Sequence, residues 1–223
     1  MSKRVTIGVL ALQGDFALHV QALRGCRSAS RGGASGEASG EMVEIEAVEV
    51  RKPEQLAEID GLIIPGGEST TLLKLMDEWR FVPALEKFHA EGRPLFGTCA
   101  GLILLAREVD HPRQFSLGFI DVDVERNAYG RQRESFETRQ TVVLDGRPTS
   151  IDMMFIRAPR IRRVGEGVEV LARLGDDPVM ARQGAVLVAT FHPEVMGERA
   201  VHEYFCDMVR RWTTDENRQE AKR

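Results

Sequence analysis

The chain has 223 residues, a formal net charge of −4 and three cysteines, with 43% hydrophobic and 29% charged residues. That length supports one sizeable core and is short for two full domains. The acidic balance argues against a general nucleic-acid binder, and no apolar run reaches the ~18 residues needed to span a bilayer.

The chain opens on VTIGVLAL (5–12), a continuous apolar run of the kind that forms a strand buried on both faces. The preceding basic residues give the start a superficial likeness to a signal peptide. It lacks a small-residue cleavage site and runs into Asp15, so it reads as the first strand. DFALHVQAL (15–23) has helical spacing, VEIEAVEV (43–50) reads as a strand and GLIIP (61–65) as a short buried strand. STTLLKLMDEW (69–79) reads as a helix capped by Ser69, and VPALEKFHAEG (82–92) as a helix closed by Gly92. PLFG (94–97) is again strand-like, and LILLARE (102–108) helical. Strands alternating with helices predict an α/β fold with a mostly parallel central sheet flanked by helices, of flavodoxin-like type.

The second half changes character. FIDVDVER (119–126), ETRQTVVL (137–144), DMMFIRA (152–158), VEVLAR (168–173) and AVLVATF (185–191) read as strands joined by turns, expected as antiparallel additions to the same sheet. ERAVHEYFCDMVRRWT (198–213) predicts a last helix with Val201, Tyr204, Phe205, Met208, Val209 and Trp212 on one face. The expected organisation is one domain over 1–213, with a mobile Ser/Gly/Ala-rich loop at 27–41 and a loose tail at 214–223.

Three motifs carry chemistry. The first is FGTCAG, which places Cys99 between glycines where a strand meets a helix. Cys99 is either a small buried hydrophobe or a nucleophile on an elbow of the G-x-S-x-G kind, with cysteine replacing serine. A helix amino terminus beneath it would favour the thiolate. The second is HPE at 192–194. Proline holds His192 extended, and residues two apart in an extended chain share a side, so Glu194 can orient and charge the imidazole. Together Cys99, His192 and Glu194 make a coherent Cys-His-Glu triad. His19, His89 and His202 lie in helical patterns and His111 in a loop, and all four read as packing or surface residues. The third motif is PGGEST (65–70) after GLII: either a tight turn into a helix, or a loop whose backbone N–H groups face a developing oxyanion together with that of Ala100. It lacks the lysine of a P-loop.

PGGEST, PLFGTCAGL and FHPE, in this order, resemble the class I, triad-type glutamine amidotransferases. LQGDF, ERNAYGRQ, SFE and FIRAP are similar to the branch that forms the glutaminase subunit of pyridoxal 5′-phosphate synthase, over about residues 5 to 210. The resemblance implies that Cys99 attacks the side-chain amide of L-glutamine, that His192 shuttles the proton and that Glu194 supports His192. It places Gly67, Glu68, Ser69, Arg126, Ile156 and Arg157 at the substrate, with Gly67 and Ala100 serving the oxyanion. A guanidinium there can clamp the α-carboxylate of glutamine. It implies no cofactor and no metal, one protein partner, the synthase subunit, and neither nucleic acid nor membrane. The odd number of cysteines, three and far apart, fits a reducing cytoplasmic setting. Two rival readings are a glutaminase feeding a different synthase, which should lack ERNAYGRQ and FIRAP, and a non-catalytic regulatory subunit, which would have no reason to keep all three triad residues. The departure from the family is the length of 27–41, away from every motif.

Overall fold

The computed structural model describes residues 4–26, 44–126, 135–197 and 199–214. The expected loop at 27–41, the residues of ERNAYGRQ beyond Arg126 and the tail from 215 lie outside the described residues.

The first half alternates as its pattern predicts. Strand β1 (Arg4–Leu10) leads to helix α1 (Phe16–Gly25), strand β2 (Glu44–Val50), a 3-10 turn (Pro53–Glu58) and strand β3 (Gly61–Ile64). Helices α2 (Ser69–Glu78) and α3 (Phe81–Ala90) precede strand β4 (Leu95–Thr98) and helix α4 (Ala100–Leu105). The second half holds β5 (Ala106–Asp110), β6 (Ile120–Glu125), β7 (Ser135–Leu144), β8 (Arg147–Ile156), β9 (Arg160–Val164), β10 (Glu169–Leu174), β11 (Asp177–Gln183), β12 (Val186–Ala189) and helix α5 (Ala200–Thr214).

The main sheet has seven strands in the order β10-β11-β12-β4-β3-β1-β2. The five strands from β12 to β2 are parallel, and β10 and β11 extend the β12 edge in antiparallel pairing. The parallel strands are buried on both faces, and alternate residues divide between two cores. Val5, Ile7, Val9, Ile63, Phe96 and Leu187 face one side, packed with α1, α5 and the β7–β8 hairpin. Leu62, Ile64, Leu95, Val186 and Val188 face the other, packed with α2, α3 and α4. All six apolar positions expected on the inner face of α5 are buried there. Among the described residues no helix is long and apolar enough to cross a membrane.

Several expectations need correction. Only two of the five late strands anticipated from the sequence, those at β10 and β12, join the main sheet, and β12 runs parallel to β4. The strand at 119–126 belongs to a separate β5-β6-β9 sheet, and those at 137–144 and 152–158 pair with each other as a hairpin. Alternation reports a half-buried strand but not its neighbour, because register and pairing are non-local. LILLARE splits: the helix stops at Leu105, and Ala106 is extended at the start of β5. A short apolar run fits either period. Helix α2 is capped by Glu68, whose carboxylate accepts from the Thr70 N–H at 3.4 Å, so Ser69 is the first helical residue rather than the cap. Helix α5 includes Thr214, whose hydroxyl donates to the Arg211 carbonyl at 2.8 Å, one residue into the anticipated tail.

Candidate active site

In a parallel sheet all strand carboxyl ends share one edge, and ligands bind there where the strand order reverses. Here the chain moves from β1 outward to β2 and then returns to β3 on the other side of β1. The segments leaving β1, β3, β4 and β12 therefore meet on one edge, carrying Gln13, residues 66–68, Cys99 and His192 respectively. They border a cavity of about 170 Å³, lined by Gly67, Glu68, Ser69, Cys99, Arg126, Ile156, Arg157 and His192. All the substrate residues anticipated from the sequence thus fall at one place, although they come from three separated stretches of chain.

Cys99 sits between β4 and α4 with φ 47° and ψ −101°, a conformation that a residue with a Cβ rarely adopts. The surrounding backbone holds it there: its N–H donates to the Ala189 carbonyl at 2.9 Å, and its own carbonyl accepts from Ile103 at 3.2 Å. Strain of this kind costs of order 1–3 kcal/mol and is kept where the structure imposes it. The elbow aims Sγ out of the sheet, where the thiol donates to the Ile156 carbonyl at 3.9 Å. Because alanine bears the same strain and glycine does not, Cys99→Gly should be about 1 kcal/mol more stable than Cys99→Ala in urea unfolding, after allowing for glycine's looser unfolded chain. Equal stability of the two variants would refute a strained elbow.

His192 follows β12, and its N–H donates to the Met154 carbonyl at 2.8 Å, which fixes the turn against β8. Its Nδ1 donates to Glu194 Oε1 at 2.8 Å, and Cys99 faces the same imidazole. Burial opposes a charge on His192, but the hydrogen bonds and charges of Cys99 and Glu194 outweigh it and push its pKa up to about 10. Burial likewise works against ionisation of Glu194, yet the facing His19 and His192 hold its carboxyl below the usual range. The pattern is that of an imidazolium held between a sulfur and a buried carboxylate.

The loop after β3 lies under the imidazole. A Cβ built on Gly66 would stand 2.3 Å from His192 Cε1, so only glycine lets the loop pass this close. The Gln13 side chain accepts from the Glu68 N–H at 3.0 Å and holds the loop from the β1 side. At the cavity mouth Arg126 and Glu68 face each other at 3.4 Å. The Ser69 hydroxyl donates to Gln114 Oε1 at 3.0 Å. Ala100 is the first residue of α4 and fully buried. Ligand atoms of Asp15, His192 and Glu194 lie within 4.8 Å of one another, near enough to share a cation, but His192 and Glu194 already bond each other.

Sequence reasoning missed Asp15 and Ile103, which also line the cavity, and it read His19 and His202 only as packing or surface residues. Both histidines are wholly buried behind Glu194, and their helical spacing carried no sign of that. His89 does pack, stacked on Phe119 with ring centroids 4.2 Å apart.

A family model described as the SNO glutamine amidotransferase family matches residues 9–211. A protein of Koribacter versatilis named pyridoxal 5′-phosphate synthase subunit PdxT is 50% identical, over 94% of this chain and 98% of its own. One of the same name from Halalkalibacterium halodurans is 47% identical, over 92% and 95%. A crystal structure titled as a glutamine amidotransferase superposes with a TM-score of 0.76 at 47% identity, covering 91% of this chain and 98% of its own. A structure of PurLQS from Thermotoga maritima, 14% identical with a TM-score of 0.56 over 96% of this chain and 98% of its own, shares the fold.

Proposed function

The chain belongs to the SNO glutamine amidotransferase family, and on that premise we propose that it hydrolyses L-glutamine to L-glutamate and ammonia. As the glutaminase subunit of pyridoxal 5′-phosphate synthase, it delivers that ammonia to a synthase subunit in the cytoplasm. One amidotransferase domain over residues 1–213 carries the whole activity. The single observation that carries the reading is the buried series Cys99, His192, Glu194, with His192 hydrogen-bonded to Glu194 and facing Cys99 on a strained elbow. An intact series of this kind favours an enzyme over a regulatory subunit. The relatives at 47–50% identity favour this synthase over others.

The chemistry follows from the groups present. The Cys99 sulfur attacks the side-chain amide carbon of glutamine. The oxygen takes up negative charge, met by the N–H groups of Ala100 and Gly67. His192 gives its proton to the amide nitrogen as the C–N bond breaks, releasing ammonia and leaving a γ-glutamyl thioester. Water then attacks the thioester carbon, His192 takes a proton from it, and the C–S bond breaks to give glutamate and restore the Cys99–His192 pair. No redox group takes part. The amino-acid end of glutamine is a zwitterion, and the Arg126–Glu68 pair offers one charge for each of its ends. Arg157, which also lines the cavity, adds a second guanidinium, beside Ile156.

The test is glutamate release by the chain mixed with the synthase subunit. Turnover of glutamine is expected, and its absence with a correctly folded pair would overturn the reading. Arg126→Ala should raise KM roughly ten- to hundredfold and change kcat little, because it removes binding that substrate and transition state share. An equal fall in kcat and kcat/KM would place Arg126 in the chemistry instead.

A further inference from the structure

Behind the triad lies a second polar cluster that the reaction as described does not use. His19 on α1 and His202 on α5 are both wholly buried, and His19 Nδ1 lies 2.9 Å from His202 Nε2. The other nitrogen of His19, Nε2, lies 3.2 Å from Thr98 Oγ1 and 3.4 Å from Glu194 Oε2. That Oε2 makes no hydrogen bond among the described residues, and neither does His202 Nδ1, although both are buried. Phe96 packs edge-on against both imidazoles and keeps them in place.

These contacts select one arrangement of protons. A bare lone pair on His19 Nε2 would face a carboxylate oxygen at 3.4 Å and be repelled, so Nε2 carries the hydrogen and donates it to Thr98 Oγ1 at 3.2 Å, beside that oxygen. His19 Nδ1 is then an acceptor, and His202 must donate from Nε2, which leaves His202 Nδ1 bare. A bare ring nitrogen is the cheaper of the two groups to leave unpartnered. Burial pushes both histidines below their ordinary range, to about 3 for His202, so both stay neutral and the arrangement persists at neutral pH.

We infer that His19 is a positioning residue for the reaction: its Nε2–H keeps the Glu194 carboxylate ionised and aimed at His192, and His202 fixes the tautomer that lets it do so. This rests on the glutaminase reading above. Glu194 faces His192 within its own turn, Asp15 ahead of α1, His19 on α1 and His202 on α5, with Cys99 beyond His192. His192 donates to Glu194 Oε1 at 2.8 Å, and the His19 Nε2–H dipole beside Oε2 at 3.4 Å adds to it, so both favour the ionised carboxylate. Without the His19 donor, Glu194 takes a proton at higher pH, and its free oxygen no longer has a fixed direction.

The test compares wild type, His19→Leu, His19→Gln and His19→Asn, each with the synthase subunit. Glutamine carries an amide N–H at about the reach of His19 Nε2, whereas asparagine stops short of Glu194. In the leucine and asparagine variants kcat should fall roughly ten- to hundredfold with KM within about twofold. The acid limb of the kcat profile should move up by about one pH unit. Glutamine should restore most of the rate and the wild-type limb. Should the leucine variant not fold, the pair of polar variants decides the matter alone. Variants that lose rate only in step with melting temperature, with the acid limb unmoved, would show a purely structural role and overturn the inference. An inactive wild-type pair would instead overturn the glutaminase reading.

Discussion

Replacing Cys99 with alanine should abolish glutamate release, by roughly ten-thousandfold or more, while the protein folds as before. The change removes a single heavy atom from a side chain that is 7% exposed, and alanine bears the elbow conformation no worse than cysteine does. What goes is the nucleophile itself, and with it one of the two groups that keep His192 charged. His192 should therefore titrate nearer its ordinary range in this variant, which NMR of the ring can follow. Cys26→Ala and Cys206→Ala should keep their turnover. Cys26 closes α1 and Cys206 is buried on α5, where the hydrogen bond its thiol donates to Cys26 and its burial push that thiol well up and leave it protonated and unreactive. A glutamine-like electrophile should accordingly label Cys99 alone. Residual turnover in Cys99→Ala, or label on either other cysteine, would remove Cys99 from the chemistry.

The second large effect belongs to a residue with no side chain. A Cβ on Gly101 would lie 2.0 Å from the Ile64 carbonyl oxygen, and that oxygen belongs to strand β3 at the centre of the sheet. Neither backbone can give way without lifting α4 off the strands. Gly101→Ala should destabilise the fold by about 3 kcal/mol or more, the range of severe overpacking. For a chain of this size that lowers the melting temperature by roughly 10 °C. The molecules that remain folded should also turn over glutamine poorly, since Ala100 and Cys99 sit on the displaced turn and a shift of about 1 Å at a reacting centre can cost a hundredfold. Gly118 is the control. It has φ 68° with no atom within 4 Å of a built Cβ, so Gly118→Ala should cost only about 1 kcal/mol and leave turnover unchanged. If Gly101→Ala melts with the wild type, the tight packing of α4 on β3 is not what holds the elbow.

Most of the parallel half of the fold and the three motifs of the site were legible in residue order. VTIGVLAL, GLII, PLFG and AVLVATF are apolar at nearly every position, and only a strand covered on both faces tolerates that. Parallel strands joined by helices must then bring their carboxyl ends to one edge, so Cys99 and the PGGEST loop were bound to share it, whereas His192 joins them only because β12, expected antiparallel, runs parallel to β4. The pairing of His192 with Glu194 was legible for a local reason, because an extended His-Pro-Glu puts both side chains on one side. Arg126, Ile156 and Arg157 were legible only through resemblance, since nothing in their surroundings separates them from ordinary residues near strand ends.

The rest depends on how the elements pack. Strand β9, with Arg160, Arg162 and Arg163, gave no apolar signal, because its arginines are satisfied by Asp177, Glu125, Asp121 and Asp123 from distant parts of the chain. The division of the late strands among three sheets depends on pairing across long stretches of sequence, which alternation does not encode. His19 and His202 are 183 positions apart, and each by itself looks like any histidine on a helix. Folding places α1 and α5 on the same face of the sheet, where burial removes water from both imidazoles and leaves each other, Thr98 and Glu194 as their polar neighbours. A buried polar group must find a partner or incur the desolvation cost, and which partner it finds is set by the packing of elements rather than by the order of residues.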